Sequence, residues 1–223
     1  MTEDKQVILK VLVGSQAHKL ADVNSDIDYR AVYVLPTRDI LSLNYRYKGN
    51  SWVEGTADNT SYEISHFLWL ATKCNPSILE VFRAPVVEAN EDGGRLRDLF
   101  PYVWNPKDAF NAFTGYSLNQ RKKFLAKKDK REDKYAVAYI RTLFNLIELL
   151  RTEDFSVEIR DSLLKDRLKR YKAKMYTPGE VIDYAEKLTG IAEGLLEHCK
   201  HEPNLEKVND FLVDIRKRYW GDK

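Results

Sequence analysis

The chain has 223 residues, 43% hydrophobic and 12% aromatic, with a formal net charge of +2. That content suits one large domain or two small ones with real cores, and it excludes a disordered chain and an overall basic coat for nucleic acid. No stretch approaches the ~20 apolar residues of a membrane span. Two distant cysteines, Cys74 and Cys199, and an acidic, polar opening, MTEDKQ, fit a reducing, cytoplasmic setting.

In chain order, Val7, Ile8, Leu9, Val11, Leu12 and Val13 form the short β-branched run of a buried strand at 7–13. It stops at Gly14-Ser15, a tight turn that exposes backbone, and a short helix from about Ser15 to Ala21 follows. Ser25-Asp26-Ile27-Asp28 opens a second strand over 28–35, ended by Pro36, and Arg38 to Leu43 adds a helical turn. Ser51 to Glu54 and Asp58 to Tyr62 read as strands. Ile64, Phe67, Leu68, Leu70 and Ala71 have helical spacing within 63–73, and Asn75-Pro76 interrupts it. Gly93-Gly94 and Asn105-Pro106 mark a change of texture. Helices are predicted beyond it at 107–128, 133–152, 159–170, 177–200 and 204–219. Thr177-Pro178-Gly179-Glu180 has the form of a capping box with proline at the first helical position. Asn204 opens a last helix with Leu205, Val208, Phe211, Leu212 and Ile215 on one face. The expected fold class is α+β, with a sheet and flanking helices in residues 1–105 and a helical bundle in 106–223.

The chemistry concentrates between Val11 and Arg30. On a strand alternate side chains share a face, so Asp26 and Asp28 are expected to project together, roughly 7 Å apart. Paired carboxylates repel unless a cation lies between them, and Mg²⁺, a hard ion, takes carboxylate and phosphate oxygens. A calcium loop fails, because the position that needs glycine is Ile27 and the one that needs glutamate is Tyr33. No G-x-x-x-x-G-K-[ST] phosphate loop occurs.

A Gly-Ser turn after one strand, then Ser-Asp-x-Asp opening the next, resembles the nucleotidyltransferase superfamily of the polymerase-beta type. Phe67-Leu68-Trp69-Leu70 followed by Asn75-Pro76-Ser77-Ile78-Leu79-Glu80 is similar to a segment of its RNA-repair branch in bacteria and phages. The resemblance extends to Lys134-Tyr135-Ala136-Val137-Ala138-Tyr139-Ile140-Arg141, where Ala138 replaces the usual histidine, and to His201-Glu202-Pro203-Asn204. It implies that Gly14 and Ser15 bind the β- and γ-phosphates of an NTP, with Ser25 supporting the turn. It also implies that Asp26 and Asp28 hold two Mg²⁺ ions, Mn²⁺ being a possible substitute. A third carboxylate is expected on the next strand. Asp58 is favoured, Glu63 competes although it suits a helix-capping role, and Glu54 is weaker.

Lys134, Arg141, Asn145 and Glu148 recur at seven, four and three residues and form one stripe of an otherwise apolar helix. That stripe is either an ordinary solvent face or, as the resemblance implies, a surface through which Lys134 and Arg141 hold the triphosphate. Basic runs at 121–134 and 165–174 suit either a solvated face or an RNA acceptor. Tyr116, Tyr135, Tyr139 and Tyr171 are candidates for base stacking or for core packing. His198-Cys199-Lys200-His201 has no zinc-ligand spacing and reads as a helix end. The expected activity is transfer of a nucleoside monophosphate from an NTP to an acceptor hydroxyl, an RNA 3′ end being favoured over a protein or a small molecule.

Overall fold

The structure, a computed structural model, describes residues 5–23, 25–43, 50–54, 57–128 and 130–221, with side chains described except at 50–54, 57 and 58. The class is α+β. Among the described residues the strands form one five-stranded sheet in the order β3-β4-β2-β1-β5. The apolar run at the start becomes β1 (Gln6–Val13), antiparallel to both β2 (Asp28–Val34) and β5 (Val86–Ala89). Strand β2 runs parallel to β4 (Ala57–Glu63), which is antiparallel to β3 (Asn50–Glu54). Inner strands buried on both faces need apolar residues at successive positions, as β1 and β2 have. Ile8, Leu9, Val11, Val32 and Val34 are accordingly buried.

The chain divides into two compact units. One comprises residues 1–72, 78–103 and 203–223, and the other 73–77 and 104–202. The expected boundary was a single cut at 105/106. Instead the last helix clusters with the sheet, because its apolar face covers helices of the first unit.

In the first unit a four-residue helix, α1 (Gly14–Ala17), follows β1, and α2 (Thr37–Ile40) follows β2. Helix α3 (Ile64–Thr72) packs on β2 and β4. After α4 (Pro76–Arg83) come β5, α5 (Glu91–Arg97) and α6 (Phe100–Val103). Phe67, Phe82 and Phe100 form an aromatic seam, with ring centroids 5.1 Å and 5.9 Å apart. Strand β5 and helices α5 and α6 were not expected from the sequence. All four β5 residues are exposed, and two adjacent glycines obscure α5, which Asn90 caps by accepting the Gly93 N–H.

Gly93 lies where α5 crosses β1, and a Cβ there would run into the Ile8 carbonyl oxygen. Since backbone cannot move aside cheaply, Gly93→Ala is expected to lower stability by about 3 kcal/mol. Urea unfolding checks this, with Gly94→Ala, whose Cβ meets nothing within 4 Å, as the tolerated neighbour.

The last helix, here numbered α11 (Leu205–Arg218), returns to α3 and α6 and buries Val208, Phe211 and Ile215. The helical unit contains α7 (Pro106–Ala126), α8 (Glu132–Thr152), α9 (Ser162–Lys172) and α10 (Pro178–His198). Helix α8 packs against α7, α9 and α10, which accounts for its nearly all-apolar composition. The capping box at Thr177 is present in full, and Asn105 and Asp161 cap α7 and α9. No helix among the described residues is long and apolar enough to cross a membrane.

Candidate active site

The last pair of the β1–β2 ladder is Val13 with Asp28. The chain leaves β1 through Gly14 immediately beside that pair, with φ at +68°. A Cβ on Gly14 would stand 2.7 Å from Asp28 Oδ2. Two physical reasons therefore select glycine here: the left-handed backbone and the carboxylate occupying the side-chain position. The turn closes by His18 N–H donating to Gly14 O (3.1 Å) and Leu20 N–H to Ser15 O (2.9 Å). Gly14 and Ser15 are half-buried, so their backbone remains reachable from solvent.

Asp28 is the first residue of β2 and half-buried, whereas Asp26 is exposed and precedes the strand by two residues. The expectation that both sit on one strand is corrected here: Asp26 belongs to the loop leading into β2. That loop is closed by Ser25, whose Oγ accepts the Asp22 N–H at 2.9 Å and donates to Asp22 Oδ1 at 3.1 Å. These bonds hold Ser25 within the 22–25 loop.

The parallel β2–β4 register pairs Arg30 with Thr60. Stepping back two residues on each strand leads to Asp28 and Asp58. Between them, the Tyr29 N–H donates to Asn59 Oδ1 at 2.7 Å, and Asn59 is fully buried. Asn59 therefore clamps the two strands at the acidic end, a role that no sequence pattern announces. The Asp58 side chain lies outside the described residues, as does that of Glu54.

Glu63, the competitor for the third carboxylate, is buried and occupied elsewhere. Its Oε2 accepts the Ser65 N–H at 2.8 Å at the start of α3, and its Oε1 pairs with Arg216 Nη2 of α11 at 2.6 Å. It caps the helix, as its position suggested, and anchors α11. Arg30, on the same strand face as Asp28, forms an ion pair at 4.0 Å with the buried Glu80 of α4. Alternation from Asp28 could have pointed to Arg30, but nothing in the sequence pointed to its partner.

Lys134 and Arg141 lie on α8, in the helical unit. The stripe they begin is not a solvent face. Arg141 and Asn145 are buried, Glu148 is half-buried, and Lys134 is exposed. Burial pushes the Glu148 carboxyl up, against the opposing pull of the Ser156 N–H. The basic runs are partly engaged in packing. Arg121 faces Glu186 at 3.9 Å, Lys174 faces Asp133 at 4.0 Å, and the Arg167 guanidinium lies 4.0 Å above the Tyr184 ring. Tyr139 and Tyr171 are core residues, while Tyr116 and Tyr135 are half-buried.

The histidine-cysteine segment follows the end of α10. His201 stacks on Trp104 at 3.9 Å and approaches Glu153 through Nδ1 at 3.2 Å, a packing role. Burial raises the Cys74 thiol to about 11, which leaves it protonated and unreactive at neutral pH.

Asp26 and Asp28 offer hard carboxylate oxygens beside a backbone turn pressed against one of them. That donor chemistry fits Mg²⁺ or Mn²⁺. Among the described residues no group of three or more His, Cys, Asp or Glu is disposed to hold a metal ion. The side chains of Asp58 and Glu54 lie outside the described residues.

The chain is similar to a protein of Enterobacteria phage T4, the "uncharacterized 38.9 kDa protein in nrdC-mobD intergenic region", with 26% identity over 135 residues. The match covers 53% of this chain and 39% of the phage protein, so the chain spans well under half of that relative's length. A model of a polymerase-beta-type nucleotidyltransferase family matches residues 1–214, through both compact units. On the strength of that match, the chain belongs to the RNA repair pathway DNA polymerase beta family.

Proposed function

We propose that the chain transfers a nucleoside monophosphate from an NTP to the 3′ hydroxyl of an RNA. The observation that carries this reading is the contact of Gly14 with Asp28, which joins a phosphate-type turn to a metal-type carboxylate at one end of the sheet. Asp26 and Asp28 would hold Mg²⁺, with Asp58 of β4 on the acceptor side. When bound, the metal supplies charge neutralisation for the triphosphate and a lowered pKa for the attacking hydroxyl. Gly14 and Ser15 present backbone N–H groups to the phosphate oxygens, with Ser25 holding the intervening loop in shape. In the step itself the 3′ oxygen bonds to the α-phosphorus and the α–β bridging P–O bond breaks. Pyrophosphate leaves with the electron pair, and the hydroxyl proton passes to solvent. Lys134 and Arg141 remain candidates for the triphosphate by family resemblance.

The test is transfer of label from alpha-phosphate-labelled NTPs, with Mg²⁺ or Mn²⁺, into RNA oligonucleotides and cell protein. Label entering RNA, absent with the Asp26→Ala/Asp28→Ala double variant, is the expected result. Label entering protein instead, with the same dependence on Asp26 and Asp28, selects AMP transfer to a protein and overturns the RNA acceptor.

A further inference from the structure

Three aromatic rings stand in near-parallel succession on the first unit, where β4 passes into α3. The Tyr62 and His66 rings are 6.5 Å apart with 22° between their planes, and those of His66 and Trp69 are 5.8 Å apart with 23°. Tyr62 and His66 are half-buried, and Trp69 is 56% exposed at the outer end of the row. Such exposure is unusual for tryptophan, whose large apolar surface is normally buried. The buried face of α3 uses other residues, Ile64, Phe67, Leu68 and Ala71, so His66 and Trp69 lie off that face, while Tyr62 at the inner end of the row also packs on Phe67, with ring centroids 6.2 Å apart.

We propose that this row is a stacking surface for the unpaired bases of a single-stranded RNA, and that it holds the acceptor strand. The inference rests on the transfer reading for its acceptor, but its binding test does not require transfer. Flat rings with polar edges, held nearly parallel, match the π-faces of successive bases better than they match aliphatic side chains. Position also favours a nucleic-acid strand over a protein partner. Tyr62 follows Thr60 on the same face of β4, and Thr60 is the register partner of Arg30. Arg30 in turn shares a strand face with Asp28. The row therefore continues the line of residues that begins at the acidic end of β2 and β4 and passes Arg30, whose guanidinium is paired with Glu80. Stacking is tolerant of sequence, because every base presents a π-face.

The test uses the full chain carrying Asp26→Ala/Asp28→Ala, in EDTA and without NTP, so that neither metal nor catalysis contributes. An unstructured ten-nucleotide RNA labelled with fluorescein is titrated and read by anisotropy. Trp69→Ala is expected to weaken binding about tenfold, Tyr62→Leu to weaken it in the same direction, and Trp69→Phe to keep most of the affinity. A blunt RNA duplex of equal length is expected to bind much more weakly. Circular dichroism verifies that each variant is folded, and the exposure of Trp69 makes its replacement benign for the core. Single-strand affinity unchanged within twofold in both Trp69→Ala and Tyr62→Leu overturns the proposal, as does duplex binding as tight as single-strand binding. Trp69-dependent binding by a chain that transfers no nucleotide would leave this surface standing and remove only the reading of the active site.

Discussion

Asp28→Asn is expected to reduce nucleotide transfer by about a thousandfold or more while leaving the thermal midpoint within about 2 °C of the parent. The substitution keeps the shape of the side chain and the backbone pairing of residue 28 with Val13. It removes the negative charge that would draw a divalent cation to the Gly14 turn, and with it the hard donor oxygen that such an ion requires. Asp28 begins the strand and is half-buried, so the substitution leaves the apolar core untouched. Label transfer and thermal unfolding measured on the same preparation separate the two effects. Asp39→Asn, at an exposed carboxylate of α2, serves as the control that retains full activity. Transfer retained within tenfold in Asp28→Asn would remove Asp28 from the site.

The second large effect concerns stability. Arg216→Met is expected to cost about 3–5 kcal/mol, because it leaves the Glu63 carboxylate buried without its cation. The side chains of Arg216 and Glu63 are 16% and 3% exposed, and the pair lies at 2.6 Å. Arg216 also donates to Ser65 Oγ and to the carbonyl of Leu35, the residue after β2, so its loss unties α11 from α3 and from the chain leaving β2. Adding Glu63→Leu to Arg216→Met is expected to restore most of the loss, since an apolar pair avoids the unpaired buried charge. Urea midpoints of the parent, both single variants and the double variant form the cycle. A loss below about 1 kcal/mol in Arg216→Met would mean that the pair is solvated rather than buried.

Elements whose stability comes from a strong local pattern were legible before any coordinates. Strands β1 and β2 follow from short apolar runs, Val7 to Val13 broken only by Lys10 and Ala31 to Val34 in the second half of β2. Helices α7 to α11 follow from periodicity and, at Thr177 and Asn204, from caps. The stretch from Pro85 to Val103 was opaque. A four-residue edge strand has too little pattern to detect, and helix α5 carries two adjacent glycines, of which Gly93 answers to the tertiary contact with Ile8.

The acidic turn could be read because its residue types are themselves the chemistry. Its exact placement could not, since the end of the ladder at Asp28 is set by pairing with Val13, a contact distant in sequence. The preference for Asp58 over Glu63 followed family pattern; the ion pair that occupies Glu63 comes from a helix 153 residues later. The row of Tyr62, His66 and Trp69 was hidden for another reason. Its spacing crosses from strand into helix, so neither period reveals it.

The split membership of α11 bears on how the protein is made. A ribosome working at about 5–20 residues per second needs roughly eight to thirty seconds to travel from Glu63 to Arg216. During that interval the sheet is completed and emerges without its closing helix, while every segment of the helical unit is made before Pro203. Vectorial synthesis therefore delivers the later unit complete first and leaves the earlier one ajar until the final turns arrive.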